Sequence, residues 1–179
     1  MSPVSCSWQK LWRRYARHLG ATVIGTVGSP AKAALARETG CTHVIDYEQQ
    51  DFVAEVNALT RGQGVRVAYD AVGRSTFSGS LACLGMRGHL VNYGQSSGPV
   101  PAFEVSSLMP KSATLSRPTV FSAYRTPAEL RELAARVFDD LARGVLRAGD
   151  AQTFALADAS AAHEALGSRA RTQAIVLLP

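Results

Sequence analysis

Ser29 and Lys32 stand three residues apart, directly after the apolar run Thr22-Val-Ile-Gly-Thr-Val-Gly28. If that run is a strand, it delivers a hydroxyl and an ammonium to its carboxyl edge. In a dinucleotide-binding fold the same edge of the second strand lies beside the adenosine ribose, where a carboxylate accepts the 2′-hydroxyl of NAD. No Asp or Glu occurs between Thr22 and Lys32. A 2′-phosphate wants donors and positive charge and is repelled by a carboxylate. Gly28, Ser29 and Lys32 therefore predict a site selective for NADP(H).

Two further segments have the composition of ligand-binding turns. Asp70-Ala-Val-Gly73 follows the apolar stretch Val65 to Tyr69, and Tyr93-Gly-Gln-Ser-Ser-Gly98 follows Gly88 to Asn92. Carboxyl ends of strands are where open α/β sheets bind ligands, and the glycines of the second segment permit close backbone approach to a cofactor. Asp70 reads as a catalytic carboxylate or as a cap on the following loop, and the cap is favoured. No general acid or base stands out. His18, His43, His89 and His163 are far apart in the sequence, and no catalytic residue is assigned. Cys6, Cys41 and Cys83 lack the close spacing of a zinc cluster or a disulfide framework and are expected to be buried thiols. No metal site is expected.

The elements that must position these residues can be read from periodicity and punctuation. A helix is expected over Trp8–Leu19, closed by Gly20, then a strand over Thr22–Val27. Pro30 fits the first turn of a helix reaching about Glu38. A strand His43–Ile45, a helix Asp51–Leu59, a strand Val65–Tyr69, a helix Thr76–Leu84 and a strand Gly88–Tyr93 follow. This alternation predicts a parallel sheet covered on both faces. After Gly98, Pro99, Pro101, Pro110 and Pro118 break the chain into loops around a short helix, Val105–Met109, and a strand, Ala113–Ser116. Thr126-Pro127-Ala-Glu129 then reads as a cap, a first-turn proline and an acidic first turn. The helix it opens carries Leu130, Leu133, Val137, Phe138 and Leu141 and stops at Gly144. A strand Gln152–Leu156, a helix Ala159–Leu166 and a strand Gln173–Leu178 complete the chain.

With 179 residues, 46% of them hydrophobic, the chain can build one domain and part of another. Its apolar runs are too short to cross a bilayer, and Met1 to Gly20 lacks the apolar core of a signal peptide, so a cytoplasmic protein is expected. The net charge of +5 gathers partly on Lys10, Arg13, Arg14 and Arg17 and on Arg169 and Arg171. These read as solvated faces. Without interleaved aromatics they do not indicate a nucleic-acid surface.

Taken together, several segments resemble the zeta-crystallin-like quinone oxidoreductase branch of the zinc-independent medium-chain dehydrogenase/reductase superfamily. They are Val23-Ile-Gly-Thr-Val-Gly-Ser29 with Lys32, Val44-Ile-Asp-Tyr47, Tyr69-Asp-Ala-Val-Gly73, Tyr93-Gly-Gln-Ser-Ser-Gly98, Arg117-Pro118 and Ser168-Arg169. The resemblance implies that Gly28, Ser29, Lys32, Tyr47 and Arg169 surround the 2′-phosphate. It places Val72 and Gly73 at a ribose, and Tyr93, Gly94, Gln95 and Ser96 near the nicotinamide ribose. Relatives commonly carry Phe-Gly-Asn-Ser-Ser-Gly in the last segment, so Tyr93 and Gln95 depart from the pattern. The implied chemistry is transfer of a hydride from NADPH to a quinone or another small electrophile such as an activated alkene, without zinc.

The resemblance also implies an N-terminal GroES-like domain and a glycine-rich loop, which nothing before Trp8 matches. The expected fold is a truncated Rossmann-type parallel sheet with helices on both faces, residues 1–120, followed by a helical and strand segment, residues 121–179, of a catalytic domain. Uncovered apolar faces at Leu130–Leu141 and Ala174–Leu178 would then favour a homodimer or higher oligomer. Two other readings stay open: a non-catalytic NADP-binding or interaction module, and an enoyl reductase relative.

Overall fold

A computed structural model of the chain describes residues 7–149, 151–168 and 173–179. The elements alternate as α1 (Ser7–His18), β1 (Ile24–Val27), α2 (Pro30–Glu38), β2 (His43–Asp46), α3 (Phe52–Leu59), β3 (Val65–Asp70), α4 (Phe77–Ala82) and β4 (Leu84–Asn92). A 3₁₀ helix (Val105–Lys111), β5 (Thr114–Ser116), α5 (Val120–Ala123) and α6 (Pro127–Ala142) come next. The chain ends with β6 (Ala151–Ala155), a 3₁₀ turn (Leu156–Asp158), α7 (Ala159–Gly167) and β7 (Ala174–Leu178). The result is a mixed α/β chain in which β3-β4-β5 and β6-β7 pair in parallel. The strands expected in one sheet form two, β1-β2 and β3-β4-β5.

The described residues group into two compact units, residues 45–130 and residues 7–44 with 131–149, 151–168 and 173–179. In the first, β4 is central and its Leu84 and Leu90 are fully buried with Phe77 of α4. Val65, Ala68, Leu81, Val100, Ala113 and Leu115 pack around them. Each large side chain taken out of water there contributes about 1.5–3 kcal/mol. Asp51 starts α3 by accepting from the backbone N–H groups of Val53 (2.9 Å) and Ala54 (3.4 Å). Thr126 and Glu129 form a reciprocal capping box at the start of α6: the Thr126 hydroxyl accepts from Glu129 N–H and the Glu129 carboxylate from Thr126 N–H, both at 3.2 Å.

In the other unit Val27, Ala36 and Cys41 are buried together, with Val23, Ala33 and Val44 packed on them. Arg13 corrects the reading of the first helix as a solvated basic face. It is buried, and its guanidinium donates to the Thr39 hydroxyl at 3.4 Å, while Arg17 donates to that of Thr42 at 3.2 Å. Leu133, Val137 and Phe138 of α6 and Val176 and Leu178 of β7 are exposed.

The largest boundary error lies at α4 and β4. The expected helix over Thr76–Leu84 ends at Ala82, and the strand expected from Gly88 begins at Leu84. Gly85 and Gly88 look like turn residues, but the chain threads them through an irregular strand start. The pairing with β3 jumps from Leu84 to His89 while β3 advances from Val65 to Val67, and Arg87 adopts a left-handed conformation with φ of 57°.

Candidate functional site

The carboxyl end of β1 leads through Gly28 into Ser29, the N-cap of α2, whose extended backbone has φ −169° and ψ 154°. Its side-chain oxygen accepts from the Lys32 backbone N–H at 3.4 Å, and Pro30 occupies the first turn, where a missing N–H costs nothing. No acidic residue lies in this turn. The helix start therefore combines the positive end of the dipole with a hydroxyl and a half-buried lysine, chemistry suited to an anion.

Tyr47 follows β2 in a tight turn that Asp46 closes by accepting from Glu48 N–H at 3.1 Å. Burial, and then the neighbouring Glu48 and Asp46 carboxylates, push the phenol above its ordinary value of 10.0. It stays protonated and able to donate a hydrogen bond.

The loops after β3 and β4 are built against each other. Asp70 is buried, and one of its oxygens accepts from Val72 N–H at 2.8 Å, Gly73 N–H at 3.0 Å and the Thr76 hydroxyl at 2.9 Å. The other accepts from Thr76 at 2.9 Å and Ser80 at 3.1 Å. Of the two readings of Asp70, the cap is the one the geometry bears out. The second loop then closes onto the first. Tyr93 N–H donates to Asp70 O at 2.9 Å, Ser96 N–H to Ala71 O at 3.3 Å and Ser97 N–H to Val72 O at 2.8 Å. The Ser97 hydroxyl donates to the same Val72 carbonyl at 2.8 Å and accepts from Ser75 N–H at 3.0 Å. Asn92 donates from its side chain to Gly94 O at 3.2 Å, and Arg117, after β5, donates to Asn92 O at 2.9 Å.

The glycines owe their place to this interlock. Gly73 has φ of +87°, and a Cβ there would lie 2.7 Å from Gly98 O. A Cβ on Gly94 would lie 2.9 Å from Ala71 Cα and closer still to the Ala71 carbonyl oxygen. Gly94, expected to permit close approach of a cofactor, has the Ala71 backbone of the other loop as its nearest neighbour.

Val72, Gly73, Tyr93, Gly94, Gln95 and Ser96 are thus gathered in one double loop, with Tyr93 and Gln95 exposed. Gly28, Ser29 and Lys32 share the start of α2, Tyr47 sits in its own turn, and Arg169 lies outside the described residues. Sequence reasoning missed Asn92, Thr76, Ser80 and the bridging role of Ser97. Thr76 and Ser80 had a signal, since hydroxyls four residues apart at a helix start face the same way.

The profile of the zinc-binding dehydrogenase family matches residues 12–139. The chain belongs to that family. A 2-haloacrylate reductase from Burkholderia is 42% identical over 92% of this chain and 50% of the relative. A quinone oxidoreductase from Pseudomonas aeruginosa is 41% identical over 98% of this chain and 52% of its own length. The crystal structure of Escherichia coli quinone oxidoreductase complexed with NADPH matches with a TM-score of 0.86 at 39% identity, over 95% of this chain and 53% of that one. The resemblance to quinone oxidoreductases is thereby borne out. The chain spans about half the length of the relatives it matches. The described residues contain no group of three or more His, Cys, Asp or Glu that could hold a metal ion. No helix among them is long and apolar enough to cross a membrane.

Proposed function

We propose that this chain binds NADP(H) as part of a zinc-independent reductase of quinones or activated alkenes. One observation carries the reading: the anion-suited start of α2, where Ser29 and Lys32 stand and no carboxylate intrudes. In the proposal Gly28, Ser29, Lys32, Tyr47 and Arg169 take the adenosine 2′-phosphate. Val72, Gly73, Tyr93, Gly94, Gln95 and Ser96 take the nicotinamide half. Similarity to an oxidoreductase complexed with NADPH supports the cofactor, and similarity to a quinone oxidoreductase and a 2-haloacrylate reductase supports the substrate class. Residues 1–120 form the nucleotide-binding part and 121–179 a segment of the catalytic domain, in a cytoplasmic homo-oligomer.

When bound, NADPH supplies the hydride. The chain's own residues position and select. Lys32 and the α2 dipole favour the 2′-phosphate, the protonated Tyr47 phenol donates to it, and the interlocked loops hold a fixed surface for the other end. No described side chain is assigned the role of proton donor, and a quinone can take its proton from water after reduction.

The test is fluorescence titration with NADPH and NADH, for the wild type and for Lys32→Glu. A lost charge-assisted hydrogen bond is worth about 1.5–3 kcal/mol, so NADPH affinity should fall about tenfold or more, with NADH affinity nearly unchanged. Equal binding of the two cofactors by the wild type, or an unchanged preference in Lys32→Glu, refutes the reading.

A further inference from the structure

We infer that Asp70 is a positioning residue that joins the loops after β3 and β4 into one rigid platform, on which binding of the nicotinamide half depends. The inference rests on the proposed NADP(H) site and adds to it the device that shapes one end.

Asp70 fills its acceptor sites with two backbone N–H groups and two hydroxyls, those of Val72, Gly73, Thr76 and Ser80. This fixes the peptide planes at Val72 and Gly73 and pins them to α4. Those planes aim carbonyls at the second loop. Val72 O receives both the backbone N–H and the hydroxyl of Ser97, each at 2.8 Å, and Ala71 O receives Ser96 N–H. The backbone of Asp70 itself receives Tyr93 N–H at 2.9 Å. The return contact runs from Arg74 N–H to Gly98 O at 3.2 Å. A buried carboxylate so engaged has no acceptor site left for a substrate, so its effect on binding must pass through the loops. A network of this kind behaves as a unit, because moving one member leaves several buried groups unpaired.

Two probes separate the halves of the site: NADPH, which needs both, and adenosine 2′,5′-bisphosphate, which needs only the phosphate end. In Asp70→Ala the NADPH Kd should rise about tenfold or more, and that of the bisphosphate should stay within about twofold. Asp70→Asn keeps one oxygen for the Val72 and Gly73 N–H groups and should recover most of the loss. Ser97→Ala, a milder cut in the same network, should also weaken NADPH selectively, which serves if Asp70→Ala does not fold. Combined with Asp70→Ala it should lose less than the two single effects added. Leu81→Ala loosens the core of the same unit without touching the loops and is the control for general destabilisation.

Several results overturn the inference: equal loss of both probes, no loss of either, additive effects in the double variant, or the same selective loss in Leu81→Ala. A wild type that binds the bisphosphate as tightly as NADPH also overturns it, while leaving the phosphate site standing. A wild type that binds neither probe refutes the proposed function itself, and the inference with it.

Discussion

Gly94→Ala distinguishes a glycine kept for a ligand from one kept for the fold. Gly94 has no left-handed backbone to protect, yet an added Cβ would collide with the Ala71 peptide, a contact between two backbones that no rotamer change relieves. The second loop must back away. The hydrogen bonds that hold it there include those from Tyr93, Ser96 and Ser97 N–H to the carbonyls of Asp70, Ala71 and Val72. Losing two of them, each worth about 0.5–1.5 kcal/mol net, on top of residual overpacking of about 1–3 kcal/mol, gives a loss of about 2–6 kcal/mol. For a chain of this size that lowers Tm by about 4–24 °C. Gly62→Ala is the matched control. Gly62 has φ of +77° and nothing within 4 Å of an added Cβ, so only the backbone penalty of about 1 kcal/mol remains. Thermal unfolding followed by far-ultraviolet circular dichroism reads both. If Gly94→Ala melts no lower than Gly62→Ala but loses NADPH affinity, the glycine serves the ligand, and the interlocking of the loops is not what holds it in place.

Two further outcomes follow from the same unit. Burial, partly offset by the nearby Lys111 and reinforced by Asp51, pushes the Cys83 thiol up from 9.0 to about 11. The unfolded thiol ionises first, so this group's contribution to stability is fully present below pH 9.0 and is lost as pH rises to about 11. The difference in urea midpoint between wild type and Cys83→Ala should therefore shift over that interval and stay flat below it. A shift centred below neutral pH would contradict the assignment. Asp51→Ala removes the N-cap of α3 and should cost about 1 kcal/mol. Urea unfolding indistinguishable from wild type would show that the two hydrogen bonds from Val53 and Ala54 are not maintained in solution.

Helices with local punctuation were legible because the relevant interactions are local. Pro30 in a first turn and Thr126 as a cap with Glu129 in the first turn stand where their residue types predict, and the cap partners of Ser29, Asp51 and Thr126 lie two or three residues away, although Asp51, expected as the first residue of its helix, is the N-cap before it. Contacts between distant segments were not legible. Nothing in the spacing of Arg13 tells that Thr39, 26 residues on, receives its guanidinium. The start of β4 was obscured because Gly85 and Gly88 carry the local signature of a turn, while the pairing that makes the segment a strand comes from β3. Asp70 could be read as a cap from its immediate neighbours, but its role in the second loop depends on Ser97, which only the parallel pairing of β3 with β4 brings near.

The described candidate residues have a common origin in the topology. Gly28 and Ser29 follow β1, Tyr47 follows β2, Val72 and Gly73 follow β3, and Tyr93 to Ser96 follow β4. In open α/β sheets the carboxyl ends of the strands carry the ligand. The observed orders β1-β2 and β3-β4-β5 are those of the 3-2 and 4-5-6 portions of the dinucleotide-binding order 3-2-1-4-5-6. Loops at such ends must first satisfy their own backbone groups, because a buried unpaired N–H or C=O costs as much as a lost hydrogen bond. After β1 the Ser29 cap does this locally, so the Lys32 side chain, whose residue enters that cap only through its backbone N–H, can be exchanged at small cost to the fold, and in the proposed site cofactor preference can change there. After β3 and β4 the loops satisfy each other, so a change in one is felt in its neighbour. In the proposed site, selectivity and shape therefore sit in separate parts of the chain, the first at the Lys32 side chain, which the fold does not need, and the second in a backbone interlock that tolerates little change.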